Sequence, residues 1–188
     1  METKTPENSA LPQIADLYND FYLTQATKEH ELLKLCNCQP PGNWVKEHPC
    51  SETPYLPIDK IEFLLTNIFT KWWVEIRDTK LIANSVAVTV RLFYKNPITE
   101  ETEFQDGVGA QPLQTKSGAG ATDFNALLSN AVSLALPAAE SYAIKDAAEK
   151  LGKLFGKDLN RKDTMAYDGM IDKKLQGLKD RAQQVLSE

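Results

Sequence analysis

The sequence lacks any long hydrophobic run, and no stretch approaches the ~20 apolar residues that a helix needs to cross a bilayer. The opening residues METKTPENSA also lack the basic region and the apolar segment of a secretory signal. These absences lead us to expect a soluble, cytoplasmic protein without a membrane partner. Of the 188 residues, 42% are hydrophobic and 25% are charged, a balance typical of one packed domain of ordinary size.

Cysteine is scarce, and its odd number argues against a closed set of disulfide bonds. The three cysteines lie close to a histidine, since Cys36, Cys38, His48 and Cys50 fall within fifteen residues. Four such side chains could in principle hold a tetrahedral zinc ion. The two-residue gap that is usual within zinc ligand pairs is absent. We therefore expect reduced cysteines, and neither a metal ion nor another cofactor.

Motifs for nucleotide binding and catalysis are missing too. The glycine-rich stretch contains no P-loop and no dinucleotide-binding fingerprint, so we interpret Gly107 and Gly109 as loop glycines. Only His30 and His48 could act as bases at neutral pH, and both lie outside the predicted core. We therefore do not expect an enzyme. A metal-dependent hydrolase is a remote alternative, in which the metal ligands would be the acidic residues near the predicted hairpin: Glu100, Glu101, Glu103 and Asp106.

A surplus of basic residues, the usual mark of a nucleic-acid-binding chain, is absent as well. The net charge is −5, and residues 1–54 contribute most of it, with four basic and eight acidic side chains. The segment from Lys145 to Lys162 has the opposite balance, with six basic and three acidic residues. Such a local surplus can bind a polyanion if folding or assembly gathers it.

The hydrophobic pattern predicts an α+β fold in which a helix, a three-stranded antiparallel meander and a long helix follow one another. Alternating residues predict three strands, at 72–77, 86–94 and 102–108. In the second strand, every second residue from Val86 to Tyr94 points to a core on one side of the sheet, and Arg91 points to the opposite side. A long mobile connection is expected after the third strand.

Helical spacing predicts the remaining elements. One helix follows Pro57, and a helical region extends from about Asp123 to Phe155 with an interruption at Pro137. Helical extensions are expected at both ends, over 11–35 and 167–186, with a proline-rich connector at 37–57. The chain is thus divided into an N-terminal extension with its connector, a core domain and a C-terminal helix, at 1–54, 55–163 and 164–188.

The predicted third strand and the long helix carry a recognisable pattern. Asp106-Gly107-Val108-Gly109 follows the hairpin, and the helix then fits A-x-x-D-A-x-x-[KR]-x-x-[KR]-x-F-G. The matching positions are Ala143, Asp146, Ala147, Lys150, Lys153, Phe155 and Gly156. Over residues 55–163 the chain resembles the Rad-fifty-two superfamily of single-strand annealing proteins, particularly the short phage-encoded recombination proteins of the Sak and Redβ type. Residues 1–54 have no counterpart in that family.

The resemblance implies a β-β-β-α core that assembles into rings or helical filaments and holds single-stranded DNA by its backbone in a basic groove. It implies annealing of complementary strands without ATP, in homologous recombination, DNA repair or phage replication. If a phage encodes the chain, the resemblance implies that the protein acts in the cytoplasm of the bacterial host. It also implies a single-strand binding protein or an exonuclease as a partner. The candidate DNA-binding residues are Lys60, Lys71, Arg91, Lys145, Lys150, Lys153, Lys157, Arg161 and Lys162.

The basic residues near the end of the long helix have two interpretations. Lys150, Lys153 and Lys157 follow at i, i+3 and i+7, which predicts one helix face that presents all three to DNA. The same stretch places Asp146 and Glu149 four residues before a lysine, as in ordinary surface ion pairs. Glu149 also stands where some family members have a basic residue. The alternative to a DNA-binding protein is therefore an oligomeric scaffold whose lysines only form ion pairs.

Overall fold

The computed structural model describes residues 14–48, 51–120 and 123–161, together with positions 173, 176, 177 and 180. The chain divides into two compact units. One consists of Met1–Lys34 and Ala166–Glu188, and the other is Leu35–Met165. Among the described helices, none is both long enough and apolar enough to cross a membrane.

The predicted N-terminal helix is present as α1, which spans Ile14–Asn37. The predicted C-terminal helix lies mostly outside the described residues, although the four described positions from 173 to 180 are helical.

The proline-rich connector is more regular than predicted. It contains a 3-10 turn at Gly42–Trp44 and two short strands, β1 (Lys46–Glu47) and β2 (Pro54–Tyr55), which pair antiparallel. Two-residue strands are too short to produce an alternating pattern, so the sequence carries no signal for this hairpin. The helix predicted after Pro57 is confirmed as α2, Ile58–Ile68.

The three predicted strands form one antiparallel sheet, with β3 (Trp72–Ile82), β4 (Ser85–Lys95) and β5 (Thr102–Pro112) in the order β3-β4-β5. This confirms the predicted α+β architecture. Alternate residues of β4 are buried, from Val86 to Tyr94, and they define the inner face of the sheet. Arg91 and Phe93 lie on the opposite, outer face, as the alternation predicted.

The long helix α3, Ala131–Glu149, packs on the inner face of β4 and β5. Its contact row consists of small residues that are fully or almost fully buried, namely Ala131, Ala135, Ala139, Ala143 and Ala147. Opposite this row, β5 carries two glycines, because a side chain there would collide with the helix. A β-carbon on Gly107 would lie 2.5 Å from the backbone nitrogen of Ala147 and 2.8 Å from its β-carbon.

The interpretation of Gly107 and Gly109 as loop glycines is therefore wrong. Both lie within β5, which extends to Pro112 instead of ending at Val108. Neither has a positive φ, so the close approach of α3 requires glycine here and the backbone conformation does not.

The predicted interruption at Pro137 is also wrong, since α3 continues through this proline. Proline removes one helical hydrogen bond and costs about 3 kcal/mol in a helix interior. The carbonyl of Ser133 lacks its helical partner because Pro137 has no N–H. Both residues are exposed, so this carbonyl lies on the side of the helix that is open to water. Burial of the alanine row against the sheet offsets the remaining cost.

The helix ends at Glu149, earlier than the predicted boundary at Phe155. Gly152 and Gly156 adopt φ values of 149° and 100°, which are incompatible with a right-handed helix. Between them, Lys153–Phe155 forms a single 3-10 turn. Leu154 and Phe155 are buried there, so the apolar pattern marked core residues correctly but assigned them to the wrong element.

Candidate nucleic-acid interface

The end of α3 is joined to the edge of the sheet by a small polar network. The Asp146 carboxylate accepts a hydrogen bond from the Val108 backbone N–H at 3.1 Å. The Lys150 ammonium donates to the same carboxylate oxygen at 3.1 Å and to the backbone carbonyl of Asp106. The Lys150 side chain nevertheless remains 47% exposed. The network therefore holds a cation in a defined position at the surface.

Arg91 lies next to this network on the outer face. Its guanidinium makes a bidentate contact with Asp106, with Nε–Oδ1 and Nη2–Oδ2 distances of 2.6 and 2.8 Å, and it lies 4.0 Å above the Phe104 ring. The hydrogen bond between these two side chains lowers the pKa of Asp106 and raises the pKa of Arg91. Asp106 thus connects Arg91, through its carboxylate, with Lys150, through its carbonyl.

A row of aromatic side chains crosses the outer face beside Arg91. Trp73 stacks on Phe93 with ring centroids 5.0 Å apart, and Phe93 lies 6.0 Å from Phe104. Lys71 closes the row, with its ammonium 5.4 Å from the Trp73 ring. Lys71 and Arg91 therefore flank one aromatic row.

Lys145 lies on another side of α3, in a groove between α3 and the β1–β2 hairpin. Its ammonium is 4.8 Å from the Tyr55 ring and 5.1 Å from the Tyr142 ring. Burial lowers the pKa of Lys145, and the negative charges of Glu149 and Asp59 oppose that effect. Burial also raises the pKa of Glu149, and the neighbouring Asp146 raises it further. We call this region the α3 groove.

Lys60 is separate from the Lys150 network. It lies on α2, 3.2 Å from Asp59 and 5.6 Å from the centroid of the Trp44 ring. These contacts resemble those of an ordinary surface lysine, whose ion pair is worth ~0–1 kcal/mol.

The predicted lysine face of one helix is wrong. Lys150 caps the end of α3, whereas Lys153 lies in the 3-10 turn and is only 8% exposed. Lys157 lies beyond the second turn-forming glycine and is half-buried. Arg161 is exposed, with its Nε 3.2 Å from Asp158 Oδ1, an ion pair whose geometry is not that of a hydrogen bond. Lys162 lies outside the described residues.

Because Lys153 is buried, we expect Lys153→Ala to destabilise the fold. Loss of its packed methylene stem should lower the free energy of unfolding by about 2 kcal/mol, a shift of several degrees in the thermal midpoint. Lys116→Ala, at an exposed loop position, removes the same charge and should stay within ~0.5 kcal/mol. An unchanged midpoint together with weaker DNA binding would instead place Lys153 on the DNA surface.

The residue pattern of the long helix is accounted for largely by packing. Ala143 and Ala147 make room for the β5 glycines, Asp146 ties α3 to β5, and Phe155 is fully buried with its ring centroid 6.3 Å from that of Phe69. Of the basic positions in this pattern, Lys150 alone presents a substantially exposed side chain.

The other candidate clusters do not come together in the described residues. Burial raises the pKa of Cys36 to about 11. Cys50 lies outside the described residues. Near the hairpin, Glu100 pairs with Lys95 at 3.3 Å, and Glu103 accepts from Tyr94 and Asn96. Within the described parts of the chain, no three His, Cys, Asp or Glu side chains gather as a metal site would require.

Sequence reasoning missed the aromatic partners of the cations. Tyr142 stands three residues before Lys145 on one helix, so their proximity had a detectable signal. No such signal exists for Tyr55 or for the aromatic row of Trp73, Phe93 and Phe104, because their contacts depend on tertiary packing and strand register.

Comparison with known proteins found no match to a family model or to a curated protein sequence.

Proposed function

We propose that this protein binds single-stranded DNA through its backbone and anneals complementary strands as a homo-oligomer, without hydrolysing a nucleotide. Such an activity serves homologous recombination, DNA repair or phage replication, where a single-strand binding protein or an exonuclease would be a natural partner. The proposal combines the sequence resemblance with the position of one cation, Lys150.

Lys150 is the observation that carries the proposal. An ammonium group has three N–H donors. Within the described residues, Lys150 donates to two oxygens, those of Asp106 and Asp146, and its side chain is still half-exposed. The remaining donor is available to a phosphate oxygen, and the two protein contacts limit the side-chain entropy lost on binding.

Assembly would multiply this single contact along a strand. The net charge of −5 disfavours binding of DNA to a lone chain, except where the local charge is positive. Repetition of the subunit would place one Lys150 after another along the DNA backbone. Each contact releases counterions, so the affinity should fall steeply with salt.

Exposed apolar side chains support assembly. On β3, Ile76 and Leu81 pair with buried Val90 and Val86 of β4, so they belong to the inner face, yet they are 56% and 67% exposed. The reason is that α3 packs on β4 and β5, so that β3 is half-buried at its start and mostly exposed from Glu75 onward. A second apolar patch lies on the first turns of α3, where Val132 and Leu134 are exposed. Contact between two different patches generates rings or filaments.

We expect Lys150→Gln to weaken binding of single-stranded oligonucleotides of every sequence alike. The slope of log affinity against log salt should decrease by ~0.7 for each phosphate that the bound protein no longer neutralises. Annealing of complementary oligonucleotides should slow in parallel, with no effect of added ATP. Fluorescence anisotropy at two or more salt concentrations measures the slope, and a thermal melt verifies the fold.

Lys116→Gln serves as the matched control, since it removes the same charge from an exposed loop outside the network. Equal affinities and slopes for the two variants would contradict the role of Lys150. If the native chain assembles but does not bind single strands at low salt, the oligomeric scaffold is the correct function.

A further inference from the structure

The α3 groove contains a cavity of about 620 Å³, within the size range of small-molecule sites. It opens between the β1–β2 hairpin and the second half of α3. Among its lining residues are His48, Tyr55, Tyr142, Lys145, Glu149 and Asn160. Aromatic rings, one lysine and several hydrogen-bonding groups therefore converge on a single concave surface.

Lys145 is the cation of the groove that a bound anion would contact. Its ammonium is partly desolvated, and it forms no ion pair with the residues that the structure describes. Two tyrosine rings compensate for part of the desolvation by cation–π interactions. A phosphate could supply the full negative charge that these rings cannot.

Tyr142 gives the groove a surface for a planar group. Its side chain is 40% exposed while Tyr55 is half-buried, so Tyr142 offers the more accessible ring. Stacking of a nucleobase on an aromatic ring contributes ~1–3 kcal/mol and tolerates every base. Asp146 and Glu149 also line the groove, and their negative charges oppose anion binding.

From this arrangement, we propose that the α3 groove binds one nucleotide, with its phosphate on Lys145 and its base against Tyr142. The proposal rests on the proposed function in taking the nucleotide to be part of a bound DNA strand. A free nucleotide has the same chemistry, and a titration with a mononucleotide distinguishes the two sources. The groove would separate one base of the strand from the bases next to it. This contact would be distinct from the backbone contact at Lys150.

The test uses the full chain and oligo-dT that contains one 2-aminopurine, whose fluorescence is quenched by stacking. Lys145→Met should weaken strand binding several-fold and reduce the salt dependence. Tyr142→Leu should weaken binding about tenfold, leave the salt dependence unchanged and abolish the quenching. Glu149→Gln removes a negative charge and should strengthen binding. Phe124→Leu, an exposed aromatic position outside the groove, is the matched control and should behave like the native chain.

A parallel titration with thymidine monophosphate identifies the source of the nucleotide. Weak binding of the monophosphate with strong, Lys145-dependent strand binding assigns the groove to the strand. Tight monophosphate binding that Lys145→Met abolishes assigns it to a free nucleotide, even if the native chain binds no strand and the proposed function fails. Native-like behaviour of Lys145→Met and Tyr142→Leu towards both ligands, with thermal melts that verify folding, would overturn the proposal.

Discussion

Gly107→Ala is expected to lower the free energy of unfolding by about 3 kcal/mol, at the upper end of the usual cost of overpacking. The new methyl group would overlap the Ala143 carbonyl and the Ala147 backbone nitrogen, neither of which can move without moving α3. Gly109→Ala meets the same obstacle at Ala139 and Ala143. The double variant should lose about 6 kcal/mol if the two effects add, which is enough to unfold a domain at the lower end of the usual ~5–15 kcal/mol range.

Denaturant unfolding followed by circular dichroism measures these losses. Ala110→Val is the matched control, because it adds methyl groups to an exposed position of the same strand and should change stability by less than ~0.5 kcal/mol. A Gly107→Ala variant as stable as the native chain would show that α3 does not lie directly on β5.

Leu81→Glu is expected to disrupt the proposed assembly. Leu81 is the most exposed of the large apolar residues on β3, and a carboxylate buried there between subunits would be strongly unfavourable. The change should weaken subunit association by about a hundredfold, or ~2.7 kcal/mol. Light scattering at micromolar concentration should then show particles close to the subunit mass of 21.0 kDa, whereas we expect larger particles from the native chain.

Ile82→Glu provides the control on the opposite face. Ile82 pairs with Ser85, is also more than half exposed and neighbours Leu81 on the same strand. The Ile82→Glu substitution should leave the particle mass unchanged. Equal disruption by both variants would contradict assignment of the interface to the inner face, and a native chain of subunit mass with and without DNA would contradict assembly altogether.

Local patterns predicted the elements whose signals lie within a few residues. The alternation in β4 assigned Val86 and Val90 to the core and Arg91 to the outer face, because side chains on a strand point to alternate sides. The start of α2 followed from Pro57, whose ring favours a helix beginning just after it. These assignments need no knowledge of what packs against each element.

The predictions that failed concern packing between distant segments. Gly107 and Gly109 had the composition of a loop, and only the approach of α3 explains why a strand contains them. The Lys150–Lys153–Lys157 face failed because its helix ends before the glycines that surround the 3-10 turn.

Local patterns of residues specify the α+β order of elements, the two faces of the sheet and the basic surplus between Lys145 and Lys162, since each depends on neighbouring residues. Packing between distant segments determines which cations reach the surface, because the burial of a side chain depends on what lies opposite it in space. Lys153 is enclosed, Lys150 is held at the sheet edge, and Lys145 lies between Tyr55 and Tyr142. Residues 55 and 142 meet only when α3 packs beside the β1–β2 hairpin, and no local periodicity encodes that contact.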